Sequence, residues 1–227
     1  MDLLLSSGFL AFARHVGVLR AVEERGVAID AVVGTSSGAL VGALWAAGMP
    51  ARAIEAELRG RRPLSLIGAH ARVWEGAFSL DPLVAWLEGS LPSDFAGLAR
   101  PFAAGVTGPD GTARLLTSGR LPEAVAASCA IPALFAPVEH GGTRWRDGGV
   151  VDRLMVGPWR TWRGERRAIA HLVDRTGGTD GEAPPPGVPV IRTPRSGASF
   201  WSLGDVGAAV EVARARALAT LDALEPR

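Results

Sequence analysis

The side chains available for chemistry are narrowed by what the chain lacks. All 24 basic residues are arginine, and tyrosine is absent as well. Without lysine there is no Schiff base, no Walker-type phosphate lysine and no Ser-Lys dyad. Cys129 is the sole cysteine, which excludes an intrachain disulfide and a cysteine zinc site. The four histidines, His15, His70, His140 and His171, show no HxxxH spacing, so a histidine metal site is not expected. Nucleophilic chemistry therefore falls to serine, with a carboxylate or a histidine as its base.

One serine stands in a context made for that role. Gly34-Thr35-Ser36-Ser37-Gly38 has the form G-x-S-x-G. It follows the short apolar run Ala31-Val32-Val33 and precedes a stretch of small apolar residues ending near Ala47. A serine on a sharp strand-to-helix turn is lifted above the sheet edge, and Gly34 and Gly38 let strand and helix approach closely. The helix N-terminus behind it favours developing negative charge. An ordinary glycine-rich turn shares the pattern, but the strand before it and the helix after it favour the nucleophile elbow. Ser36 takes the central position. The backbone N–H of Ser37 is then a candidate oxyanion donor, with the Ser37 side chain turned away.

Two groups compete to be the base. In the usual order a histidine follows the acid, and His171 alone lies beyond Asp147, but it sits inside the apolar run Ala168-Ile169-Ala170-His171-Leu172-Val173. That setting fits a core histidine better than a catalytic one. The alternative is Asp147, followed by Gly148 and Gly149, which permit a tight turn that brings a carboxylate close to other backbone. A carboxylate is a weak base unless a dry site raises its pKa. An Asx-capped hairpin turn is the structural alternative for the same residues.

The elements that must position these groups follow from local pattern. Leu3-Leu4-Leu5 reads as a buried strand, Phe9 to Glu24 as an amphipathic helix and Ala31-Val32-Val33 as a second strand. Strand, turn and helix repeated twice within about 50 residues points to parallel strands with crossover helices. Residues 50–100 differ: a helix from Ala51 to Arg59, a basic stretch to Arg62, an apolar-basic mixture through Trp74 and Phe78, and a helix N-capped by Asp81. They read as an inserted helical cap within a single domain spanning 1–227. The Arg59, Arg61, Arg62 and Arg72 side chains beside Leu64, Leu66, Ile67, Trp74 and Phe78 suit either a lid that meets anionic lipid or a solvated basic face.

Farther on, Asp110-Gly111 and Gly141-Gly142 mark two hairpins, the second delivering the chain to Asp147. Leu121 to Ser128 reads as a helix, 168–173 and 188–191 as strands, 177–189 as a Gly/Pro-rich loop, and Asp205 to Leu224 as an amphipathic helix. A formal charge of +1 over 227 residues argues against nucleic acid as a partner. Met1 leads straight into an apolar strand with no basic leader, and the longest apolar run, 39–50, is too short to span a bilayer. These features read as a cytoplasmic protein with, at most, peripheral membrane contact. Oligomeric state is not encoded.

Several segments in order resemble the patatin-like phospholipase family. Ser7-Gly8-Phe9 with His15-Val16-Gly17-Val18-Leu19-Arg20-Ala21 resembles its first loop and helix, and Gly34 to Gly38 its elbow. Ala127-Ser128-Cys129-Ala130-Ile131-Pro132, with Phe135-Ala136-Pro137-Val138, resembles the segment before its acid, and Asp147-Gly148-Gly149-Val150-Val151-Asp152 the acid motif itself. The resemblance implies an α/β, three-layer α/β/α fold with a mostly parallel central sheet. It implies a Ser36–Asp147 dyad without histidine, no cofactor, and lipid or other acyl-ester substrates. The family's oxyanion loop is typically a run of three glycines followed by a basic residue; here the stretch is Ser7-Gly8-Phe9-Leu10-Ala11-Phe12, with Arg14 nearby. Because such a hole uses backbone N–H groups, Gly8 and Phe9 are its expected donors. The same departure leaves room for a catalytically silent lipid-binding scaffold, and Phe9, Leu10 and Phe12 for an apolar acyl-chain wall.

Overall fold

A computed structural model describes residues 1–72, 74–175 and 186–224. The strands are β1 (Asp2–Leu5), β2 (Ala31–Thr35), β3 (Gly68–Ala69), β4 (Phe78–Ser79), β5 (Phe102–Thr107), β6 (Ala113–Leu116), β7 (Val138–His140), β8 (Thr143–Asp147), β9 (Ala168–Val173) and β10 (Val190–Thr193). The helices are α1 (Phe12–Glu24), α2 (Ser37–Ala46), α3 (Ala51–Arg59), α4 (Asp81–Glu88), α5 (Leu121–Ser128), α6 (Val156–Arg163) and α7 (Val206–Leu224).

Five strands, in the order β10-β9-β1-β2-β5, run parallel. Side-chain alternation divides their residues between two faces. Leu3, Leu5, Val32, Phe102 and Ile169 pack into one core with buried residues of α1, α2, α3, α4, α5 and α7. Leu4, Val33, Ala103, Ala170 and Leu172 pack on the other side against Trp159 of α6, Leu154 and Met155. The result is a three-layer α/β/α arrangement around a mostly parallel sheet, as expected. Buried on both faces, the central strands need continuous apolar runs, and 3–5 and 31–33 supply them.

The antiparallel end of the sheet brings distant segments together. β5 pairs with β2 through Thr35↔Gly105 and with β6 through residues Ala104 to Thr107. The shared residues Ala104 and Gly105 put β2 and β6 on opposite edges of β5. β8 pairs with Val106 and Thr107, which β6 also pairs, so β8 occupies the β2 edge. There β2 ends opposite Gly105 and β8, arriving antiparallel, ends at Asp147 opposite Val106. The residue after β2 is Ser36.

Three local expectations change. Helix α1 begins at Phe12 rather than Phe9, because Gly8 to Ala11 forms a turn with Ala11 N–H donating to the Gly8 carbonyl and Leu10 at φ +48°. Asp81 is the first residue of α4, not its cap; Ser79 Oγ accepts the Asp81 N–H at 3.0 Å. β10 starts two residues later than expected, and residues 176–185 of the Gly/Pro-rich stretch lie outside the described residues. Residues 51–100 hold α3, α4 and the small β3–β4 hairpin, and they bury Ile54, Leu58, Leu83, Leu87 and Leu91 in the main core.

Candidate active site

Ser36 sits at φ 55° and ψ −120°, a conformation a non-glycine residue adopts only when its surroundings enforce it. The enforcement is visible. Its N–H donates to Ser128 Oγ at 2.9 Å, and the same hydroxyl donates to the Gly105 carbonyl at 2.6 Å. Its carbonyl accepts from Ala39 and Leu40 at the start of α2. The flanking glycines are required by contact. A Cβ on Gly34 would stand 2.4 Å from the Gly38 carbonyl oxygen, and one on Gly38 would stand 2.4 Å from the Leu5 carbonyl oxygen.

Asp147 is brought to the same edge by β8 and held by its backbone. Its N–H donates to the Ala130 carbonyl, and its own carbonyl accepts from Thr107 Oγ1 at 3.1 Å. The side chain is only 4% exposed. Burial pushes this carboxyl from the ordinary 3.8 up to about 6; hydrogen bonds from the Ser36 hydroxyl and the Gly149 N–H, 2.7 Å from Oδ1, act in the opposite direction. Gly148 and Gly149 are fixed by space rather than by φ: added Cβ atoms would lie 2.2 Å from Met155 Cε and 2.3 Å from Ser7 Oγ. The structure thus brings Ser36 and Asp147 together, in a setting that makes the carboxylate a stronger base than free aspartate.

Ser36 opens onto an apolar cavity of about 70 Å³. Phe9, Leu10, Phe12, Leu66, Phe135 and Phe200 are among the residues that line it. The Phe9 and Phe200 rings meet edge-to-face at 5.1 Å.

The profile of the family described as Patatin-like phospholipase matches residues 3–158, more than half of the chain. The chain belongs to the patatin-like phospholipase family. It is 31% identical over 168 residues to Lysophospholipase NTE1 of Mycosarcoma maydis, covering 69% of this chain and 9% of that protein. It is 31% identical over 167 residues to an uncharacterized NTE family protein of Mycobacterium tuberculosis, covering 69% of this chain and 44% of that one. The chain therefore spans less than half the length of these relatives. Among solved structures, VipD from Legionella pneumophila has the same fold, with a TM-score of 0.60 at 14% identity over 98% of this chain and 66% of that one.

Within this patatin-like frame, two of the expected oxyanion donors, Phe9 and Ser37, line the same cavity as Ser36. The Gly8, Phe9 and Ser37 amides find no acceptor among the described residues. The strain that lost glycines would have absorbed falls on Leu10, at φ +48°, rather than on Phe9. Gly8 itself is confined, with Ala11 Cβ 2.9 Å and Val173 Cβ 3.2 Å from where a Cβ would stand. Buried Arg153 braces the loop, donating to the Ser7 carbonyl at 2.8 Å and also to the Val173 carbonyl.

His171 has no place in a triad. Its Nδ1 lies 2.8 Å from His15 Nδ1 and its Nε2 lies 2.8 Å from Thr193 Oγ1, so neither nitrogen serves Ser36 or Asp147. His15 Nε2 in turn lies 3.2 Å from Ser37 Oγ. Burial holds both imidazoles neutral, lowering His15 to about 3 and His171 well below its usual range. Sequence reasoning missed this pair, as well as the Ser128 bridge and the Arg153 brace. Only Ser128 carried a signal, as part of a segment that matches the family. Burial also pushes the Cys129 thiol far up, leaving it unreactive beside the Ser36 carbonyl. Among the described residues no group of three His, Cys, Asp or Glu side chains could hold a metal ion.

Proposed function

We propose that this chain is a serine-dependent lipid acyl hydrolase that cleaves carboxylic esters through a Ser36–Asp147 dyad. The observation that carries the reading is a strained serine whose hydroxyl meets a buried carboxylate of raised pKa at the rim of an apolar cavity. Asp147 accepts the Ser36 proton as Oγ attacks the acyl carbonyl. The amides of Gly8, Phe9 and Ser37 receive the negative charge of the tetrahedral intermediate, each such donor contributing about 3 kcal/mol in known cases. Asp147 returns the proton to the leaving alcohol, and the acyl-enzyme forms. Asp147 then takes a proton from water as the water attacks the ester carbonyl, and gives it to Ser36 as the carboxylic acid departs. No step needs a metal or an organic cofactor.

The substrate class follows from the cavity and its surroundings. An apolar cavity lined by Leu40, Leu66, Ile67 and Phe135 accepts an acyl chain, not a sugar or a peptide. Phe9, Leu64 and Trp201 are exposed, and Leu64 and Phe200 are joined by a backbone hydrogen bond beside the Phe9–Phe200 contact. This apolar rim supports contact with lipid aggregates. Arg59 and Arg61, in contrast, pair with Glu55 and Glu57 of α3, which removes them from a basic docking face. No helix among the described residues is long and apolar enough to cross a membrane. The name of the fungal relative, a lysophospholipase, is consistent with this reading.

The test is turnover of p-nitrophenyl esters and of lysophospholipid. Ser36→Ala and Asp147→Asn should each abolish turnover in protein that remains folded by circular dichroism, and wild type should react covalently with a fluorophosphonate probe. Turnover retained in Ser36→Ala would sink the assignment. A folded wild type that neither labels nor hydrolyses would indicate the silent scaffold.

A further inference from the structure

The apolar cavity at Ser36 is small for a lipid acyl chain. A dry cavity of about 150 Å³ holds one benzene molecule. At about 70 Å³, this one has room for about three carbon atoms beyond the reacting carbonyl. A longer chain enters only where a wall gives way.

The walls differ in what holds them. Leu40, Leu83 and Phe135 line the cavity and are also buried in the main core, so moving one leaves a void or a clash elsewhere. Leu66 and Ile67 lead directly into β3, which is paired with β4. Phe9 sits on the loop that Arg153 braces through the Ser7 carbonyl.

Phe200 is held more lightly. It lies in the stretch 196–204, between β10 and α7, which contains no helix or strand. Gly197 and Gly204, both at φ 70°, stand near the two ends of that stretch. They are the residue type whose backbone resists rearrangement least. The Phe200 ring is half-buried and meets Phe9 edge-to-face at 5.1 Å. Its carbonyl accepts the Leu64 N–H at 3.2 Å. Ser196 Oγ donates to the Phe9 carbonyl at 2.7 Å, but that bond is exposed, and water replaces an exposed partner at little cost. Phe200 also lies beyond residues 3–158, the span that matches the family profile.

We propose that Phe200 is the specificity-determining residue for acyl-chain length. With its ring in place the cavity is filled by an acyl group of about four carbons, and the methylenes of a longer chain must displace the ring or stay in water. The proposal rests on the reading of Ser36 as the nucleophile, because turnover is what reports chain length.

The experiment is a series of p-nitrophenyl esters from acetate to octanoate, each below its aggregation concentration. In wild type, kcat/KM should rise as far as the butanoate and then level off. In Phe200→Ala the rise should continue, so that the octanoate-to-butanoate ratio exceeds that of wild type about tenfold, the value of roughly two buried methylenes. Phe200→Leu should fall between the two, and it decides the matter if the alanine variant does not fold. A wild type that keeps gaining with each methylene up to the octanoate would overturn the proposal. So would a folded variant with the chain-length profile of wild type, or with an equal loss on every ester. If no ester is hydrolysed, it is the nucleophile assignment that fails. Calorimetric titration of 1-octanol then decides the cavity by itself: binding about tenfold tighter in Phe200→Ala than in wild type supports the role of Phe200, and equal or weaker binding refutes it.

Discussion

Asp147→Asn should stabilise this protein at neutral pH while destroying its activity, and the gain should vanish in acid. In the folded chain burial raises the carboxyl to about 6 from the ordinary 3.8. Between those values the folded state holds a proton that the unfolded state has released, so stability falls as pH rises through this window. A difference of about two pH units at 1.36 kcal/mol each gives a cost of about 3 kcal/mol above pH ~7. Below pH ~4 both states are protonated and the cost is absent. Asparagine keeps an oxygen for the Gly149 N–H and carries no charge to desolvate. Urea unfolding of wild type and variant at about pH 4.5 and pH 8 isolates the effect, because every other titrating group is common to both proteins. The stability difference should grow in favour of the variant by about 2 to 3 kcal/mol across that interval. In wild type, kcat/KM for a neutral ester should rise with a midpoint near the same pH of about 6 and show no second limb from a histidine. A stability difference that does not change with pH would mean that Asp147 is not held in a dry site, and the argument for its basicity would fail with it.

Three further outcomes test the supporting structure. Gly38→Ala places a Cβ 2.4 Å from the Leu5 carbonyl oxygen, a backbone atom that cannot step aside, and should cost about 3 kcal/mol of stability by urea titration, together with ester turnover. Ser128→Ala deprives both the Ser36 N–H and the Gly105 carbonyl of their partner, and should lower stability by about 2 kcal/mol and kcat more than it changes KM. The ring protons of His15 should not shift in NMR spectra between about pH 5 and pH 8, because its pKa is lowered to about 3; since the unfolded chain takes up that proton first, this residue makes stability fall as pH drops below about 6.5.

The parts of the site legible in the sequence are those set by local chain geometry. A short apolar run, glycines and a run of small residues specify β2, the Ser36 turn and α2, because each glycine is forced by a neighbour within a few residues or by the adjacent strand. The Gly141-Gly142 hairpin likewise predicts β7 and β8, and so the arrival of Asp147 at a turn. What pattern cannot carry is which edge of β5 takes β8. That choice depends on β6 holding the opposite edge, and no period in either strand encodes it. The start of α1 was misplaced for a related reason. Phe9, Phe12 and Val16 have helical spacing, but Leu10 adopts φ +48° under contacts from elsewhere, and apolar periodicity is blind to the sign of φ. The His15–His171 pair joins residues 156 apart, a separation that no local pattern reports.

Two of the four described non-glycine residues at positive φ, Ser36 and Leu10, and the buried carboxylate lie at the same end of the parallel strands, and that location explains why the fold tolerates them. A non-glycine residue at positive φ costs about 1 to 3 kcal/mol, and Ser36 and Leu10 both bear that cost. The unfavourable terms fall just beyond β1 and β2, whose residues are buried on both faces. Relaxing Ser36 would break its hydrogen bond to Ser128 and the two that its carbonyl accepts from α2. Relaxing the loop at Leu10 would pull on the Ser7 carbonyl held by Arg153. Relaxation at Ser36 is thus opposed by a buried hydrogen bond and at Leu10 by a part-buried one. On the proposed reading, the reaction centre is organised before substrate arrives, which is what a weak base acting on a serine requires: little of the binding energy need go to arranging the catalyst.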